Sequence, residues 1–81
     1  MAIKVRLFAR AREAYGHPET QLEFEAAPTP AACLAFLATS APALEGLRPS
    51  LLVAVNEEYA EWDAELTDGD EVAFIPPVSG G

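Results

Sequence analysis

Thr29-Pro30 opens the segment that most restricts how this chain can fold. A threonine hydroxyl followed by proline at the first helical position is a helix start. Residues 31–38 then read Ala-Ala-Cys-Leu-Ala-Phe-Leu-Ala, without a charged side chain. Leu34, Leu37, Ala38 and Ala41 share one face of that helix, Cys33 and Phe36 flank it, and Pro42 is expected to end it. A helix apolar nearly all round has to be covered. In 81 residues there is room for one domain and one modest core. The rest of the chain must therefore supply a sheet for the helix to lie on.

The flanking segments read as that sheet. Ile3, Val5 and Leu7 alternate with Lys4, Arg6 and Phe8, so Ala2–Ala9 is a half-buried strand, with Phe8 interrupting its polar face. Arg10–Tyr15 has helix formers and stops at Gly16, which allows one or two turns. Gln21–Glu25 alternates again, Leu22 and Phe24 inward, and suits an antiparallel partner for the first strand. Ala43–Ser50 is expected to be irregular, with a short turn near Leu44–Leu47. Leu51–Val55 is an unbroken apolar run, as in an interior strand. Asn56-Glu57-Glu58 is a turn, Tyr59–Trp62 a short return strand, and Asp68-Gly69 a second turn. Glu71–Ile75 is the last strand, with Val72 and Phe74 inward and Ala73 and Ile75 on the other face. The order predicts an α+β fold: a mixed sheet of four to five strands packed on one main helix, the β-grasp or ubiquitin-like layout.

Charge and composition exclude several functions. Thirteen acids against five bases give a net charge of −8, which disfavours nucleic-acid binding because phosphate contacts need a basic face. The acids gather late, from Glu57 to Glu71, and the bases early, at Lys4, Arg6, Arg10 and Arg12. That asymmetry can steer a basic partner protein. One cysteine precludes an internal disulfide framework and suits a reducing compartment. No signal-peptide pattern and no membrane-length apolar stretch is seen, so the expected location is cytoplasmic, without membrane contact. No metal site is expected: Asp68-Gly69-Asp70-Glu71 lacks the spaced ligands of a calcium loop, and His17 stands alone. Cys33 is expected in the core.

The end of the chain is built differently. Pro76 and Pro77 have fixed φ and no N–H, so they close the last strand and stiffen the exit. Gly80 and Gly81 have no side chain and are costly to order, which makes sense where a tail enters a narrow space. Residues 76–81 are expected to be a flexible tail on a single domain spanning 1–81. The reactive group such a tail offers is the Gly81 α-carboxylate.

The residues Ile3-Lys4-Val5…Leu7-Phe8-Ala9 with Arg12-Glu13, Val53-Ala54-Val55-Asn56, and above all the run from Leu66-Thr67-Asp68-Gly69-Asp70 to Pro76-Pro77-Val78-Ser79-Gly80-Gly81 resemble the small subunits of molybdopterin synthase, a family of ubiquitin-like sulfur carriers. The resemblance spans the chain and is densest over its last sixteen residues. It implies a protein that is not an enzyme on its own and binds no cofactor. A ubiquitin-activating-type enzyme uses ATP to adenylate Gly81, and a sulfur donor protein converts the adenylate to a thiocarboxylate. The thiocarboxylate then delivers sulfur to a pterin precursor in the large synthase subunit, within a heterotetramer. Gly80, Ser79, Val78 and Pro77 are then the tail that enters the partner's active site.

Phe8 and Ile75 fall on the non-core face and form an apolar patch at the tail's root if the first and last strands are neighbours. With Tyr59 and Arg12 they are the expected partner-binding residues. Other readings stay open: a carrier serving thiamine, thiolated tRNA or sulfur amino acid synthesis, a ubiquitin-like protein modifier, or a β-grasp interaction module with an inert tail.

Overall fold

The computed structural model describes residues 1–77. Its elements run β1 (Ala2–Leu7), α1 (Ala9–Tyr15), β2 (Glu19–Glu23), α2 (Pro30–Ala38), α3 (Ala43–Leu47), a 3-10 turn at Arg48–Ser50, β3 (Leu52–Val55), β4 (Glu58–Ala60) and β5 (Glu71–Ile75). The five strands form one mixed sheet in the order β2-β1-β5-β3-β4. The first and last strands meet at its centre as the parallel pair, Leu7 level with Phe74, and all other pairs are antiparallel. This is the expected α+β architecture.

Alternation decides the faces. Ile3, Val5, Leu7, Val72 and Phe74 turn to the helical layer and are buried, meeting Cys33, Leu34, Leu37, Leu44 and Leu66 in one core. The α2 start is as read: the Thr29 hydroxyl accepts from the Ala32 N–H at 3.1 Å, with Pro30 first in the helix. Its end is not. The helix stops at Ala38, well before Pro42, where the chain tightens: the Thr39 and Ser40 N–H groups donate to the Phe36 and Leu37 carbonyls three residues back, and their hydroxyls donate to the same carbonyls. Side-chain donors of this kind take over carbonyls and compete with helix continuation. Phe36, expected beside the buried face, is 54% exposed and meets Phe24 edge-on, with ring centres 6.0 Å apart.

Two further segments depart from expectation. The short turn expected at Leu44–Leu47 is present but more regular than expected, a five-residue helical turn over Ala43–Leu47 seated by buried Leu44. The return strand ends at Ala60, short of Trp62. Trp62 leaves the sheet to stack on Phe74, with centres 5.6 Å apart and planes 15° apart, while its carbonyl accepts from the Ala31 N–H at 3.0 Å. Its outer face carries the Arg48 guanidinium 4.7 Å from the ring centre.

Candidate functional site

No helix among the described residues covers the second face of the sheet, and its side chains stand in register rows. Arg6 is level with Ala73, Ala73 with Ala54, and Ala54 with Tyr59. One row along, Ile75 is level with Leu52, and Phe8 follows Leu7 beside it. The middle positions are alanines and the outer ones are large. The result is a depression of about 300 Å³ with Ala54 and Ala73 as its floor and Phe8, Ile75 and Tyr59 as its apolar walls. Tyr59 is 72% exposed and Phe8 36%. Leu52, expected inside an interior strand, is also exposed at the margin, because β3 is covered only on its helical side.

The polar rim is arranged around one ion pair. Arg6 lies 3.4 Å from Glu71, and its guanidinium also sits 5.2 Å from the centre of the Phe8 ring, which holds that ring in place. Glu57 completes the rim from the β3–β4 turn. Beneath it, the turns that carry β4 and β5 are joined. The Asn56 amide donates to Asp70 at 3.0 Å, and the Asn56 side-chain oxygen accepts from the Glu71 N–H at 3.0 Å. The Thr67 N–H donates to Asp70 at 2.9 Å, and these bonds, Thr67's first and Asn56's second, hold the Asp70 carboxyl below its ordinary pKa.

Of the partner-binding residues expected from sequence, Phe8, Tyr59 and Ile75 line this depression together. Arg12 does not: it is exposed on α1, outside the lining residues. Pro77 is described, exposed and beyond the last strand, so the chain leaves the sheet next to Ile75. Val78, Ser79, Gly80 and Gly81 lie outside the described residues. Ala54, Ala73, Leu52, Arg6 and Glu57 were not singled out from the sequence, although the alternation that assigned Ala73 to the outer face was the signal for the floor.

Within the body, little is equipped for chemistry. Cys33 is buried, and burial pushes its thiol up to about 11, so it is protonated and inert at neutral pH. His17 is exposed and only meets Tyr15 edge-on. Among the described residues no group of three or more His, Cys, Asp or Glu could hold a metal ion, and no helix is long and apolar enough to cross a membrane.

Residues 5–81 match the model of the ThiS family. The chain belongs to that family. As a ThiS-family chain it is 46% identical, over 79 residues, to the molybdopterin synthase sulfur carrier subunit of Arabidopsis thaliana, covering 98% of this chain and 82% of that one. It is 45% identical to the subunit of the same name from Escherichia coli (strain K12), over 98% of this chain and 99% of that one. Among solved structures, SAMP1 from Haloferax volcanii superposes with a TM-score of 0.83 at 30% identity over the whole of both chains. A complex of subunits 1 and 2 of molybdopterin-converting factor from Helicobacter pylori contains a chain with the same fold, at a TM-score of 0.70 and 21% identity over all of both chains.

Proposed function

We propose that this chain is the sulfur carrier subunit of a molybdopterin synthase, delivering sulfur on the carboxyl group of Gly81. The observation that carries the reading is the 46% identity to a subunit of that name across 98% of the chain. The family match extends through Gly81, the one thiol of the folded body is buried, and no metal-holding cluster is found among the described residues.

The chemistry follows from the carboxylate. It is a poor electrophile, so a partner enzyme first joins it to the α-phosphate of ATP, releasing pyrophosphate. The terminal sulfur of a donor persulfide attacks the acyl-adenylate carbonyl, and AMP leaves. Cleavage of the resulting acyl disulfide by a thiol leaves the thiocarboxylate, a nucleophile that the tail presents to a pterin precursor held by the large subunit. The body docks and the tail, residues 76–81, delivers. This is catalysis by positioning, in which the carrier supplies a reactant and not a catalytic group. The open sheet face, with Phe8, Tyr59 and Ile75 at the root of the tail, is the docking surface of this reading. ATP belongs to the activating enzyme, and the free Cys33 suits a cytoplasmic setting.

The test is intact mass after incubation with ATP, the activating enzyme and a persulfide donor. The expected result is a gain equal to replacing one oxygen by one sulfur, located on the C-terminal peptide. An unchanged mass removes the sulfur-carrier reading. The likeness to SAMP1 from Haloferax volcanii, and to the small archaeal modifier protein 1 (SAMP1) from Methanosarcina acetivorans, favours a second reading in which the same acyl-adenylate is passed to lysines. Isopeptide-linked adducts in place of the sulfur gain would identify that outcome.

A further inference from the structure

The β3–β4 connection carries a backbone conformation that its residues do not favour. Asn56 and Glu57 form a two-residue hairpin loop between Val55 and Glu58, and both have positive φ, +50° and +72°. That is the geometry of a type I′ turn, whose second position strongly prefers glycine. Asparagine tolerates it, and Asn56 is further held by its bonds to Asp70 and Glu71. Glutamate does not belong there on backbone grounds. Among the described residues Glu57 makes no ion pair and no side-chain hydrogen bond that would offset the strain, and its side chain lies on the rim of the depression on the open sheet face. Strain retained without local compensation, beside an exposed apolar surface, marks a residue kept for an interaction.

The charge on that rim states what the interaction is with. Arg6 and Glu71 neutralise one another at 3.4 Å, which leaves Glu57 as the uncompensated charge of the depression. A second copy of this chain, with the same net charge of −8, would bring acids against acids. The complementary partner is basic.

We propose that Glu57 is the specificity residue of this docking face. It selects a partner that inserts an apolar side chain between Phe8, Tyr59 and Ile75, over Ala54 and Ala73, and sets a lysine or arginine beside it to pair with Glu57. The proposal rests on the reading of the chain as a synthase sulfur carrier, because it takes the synthase large subunit as that partner.

The experiment titrates the wild-type chain and the variants Glu57→Gln, Glu57→Gly and Glu58→Gln against the purified large subunit by calorimetry, at low salt and at about 0.5 M salt, where exposed charge pairs are screened. Glu58 is the neighbouring acid outside the depression and controls for net charge. Glu57→Gln and Glu57→Gly are each expected to weaken binding roughly tenfold at low salt, with the gap closing at high salt, while Glu58→Gln changes it by less than about twofold. Glu57→Gly is also expected to melt a few degrees higher, since it relieves the turn. Equal affinities for wild type and Glu57→Gln, an equal loss in Glu58→Gln, or a lower melting temperature for Glu57→Gly each overturn the Glu57 assignment and leave the carrier reading standing. A wild-type chain that does not bind the large subunit, or that occupies this face by dimerising in sedimentation velocity, removes the proposal together with its premise about the partner.

Discussion

Asn56 and Asp70 are joined by a 3.0 Å side-chain hydrogen bond across fourteen residues of sequence, and that bond fixes the β3–β4 turn against the start of β5. Asn56 also accepts from the Glu71 N–H and donates its own N–H to the Glu71 carbonyl at 2.8 Å. The rim of the open sheet face thus rests on one asparagine, and its positive φ adds a second reason for that residue type. Asn56→Ala removes two side-chain bonds and places a Cβ-bearing residue without local compensation in the left-handed region. The expected cost is about 1–2 kcal/mol, measured as a shift of the urea midpoint at constant slope.

The same contact predicts an acid limb. Hydrogen bonds from Thr67 and Asn56 lower the Asp70 pKa in the fold. A lowered folded pKa means that the ionised form is favoured in the native state. Its contribution is therefore fully present above the unfolded carboxylate pKa of about 4 and is lost as pH falls through the folded value. Asp70→Asn should flatten the fall in melting temperature below about pH 4 relative to wild type. Parallel acid limbs for the two proteins would contradict it.

Cys33 is expected to be silent in the sulfur chemistry. Its thiol is buried and titrates near 11. A maleimide reagent at neutral pH should leave the folded chain unlabelled and label it in denaturant. Cys33→Ala should retain full sulfur loading at a stability cost of about 1 kcal/mol for the small cavity.

The legible and illegible parts of this chain divide by range. The Thr29-Pro30 start, Gly16 as the left-handed end of α1 with φ +98°, and the alternation of β1 and β5 are local rules, and the structure follows them. The misread segments were decided by distant partners or by competing donors. Thr39 and Ser40 closed α2 with backbone and hydroxyl bonds to carbonyls three residues back, and Trp62 left β4 to stack on Phe74. Leu52 looked buried because it sits in an apolar run, yet only one face of β3 is covered. Phe8, Tyr59 and Ile75 were reachable from the sequence. That they surround a depression floored by two alanines depended on the register of four strands.

That floor makes a prediction of its own. Ala73→Leu projects a larger side chain into the depression from the open face of β5, away from the core. Stability should change by less than about 1 kcal/mol, as for surface substitutions. Binding to the large subunit should fall about tenfold or more because the space for an inserted side chain is filled. Phe8→Asp and Ile75→Asp should act in the same direction by removing apolar walls. Affinity unchanged across all three, with the fold intact by circular dichroism, would remove the docking role from this face.

The last prediction separates the tail from the body. The core is complete by Ile75: Val72 and Phe74 are fully buried, and β5 already pairs with both β1 and β3. Deleting Gly81 should therefore leave the circular dichroism spectrum and the melting temperature unchanged. The deletion still ends in a carboxylate, so it tests position and not merely the presence of a terminal acid. If the activating enzyme holds the body on the open sheet face, a tail shorter by one residue withdraws its carboxylate by about 3.5 Å, roughly the rise of one extended residue. Attack on the α-phosphate requires near-contact distance, and a displacement of that size costs orders of magnitude in rate. Sulfur loading followed by intact mass should then be lost in the deletion while binding to the large subunit through the sheet face persists in weakened form. Loading at the wild-type rate would show that the sulfur sits elsewhere than on a precisely placed Gly81.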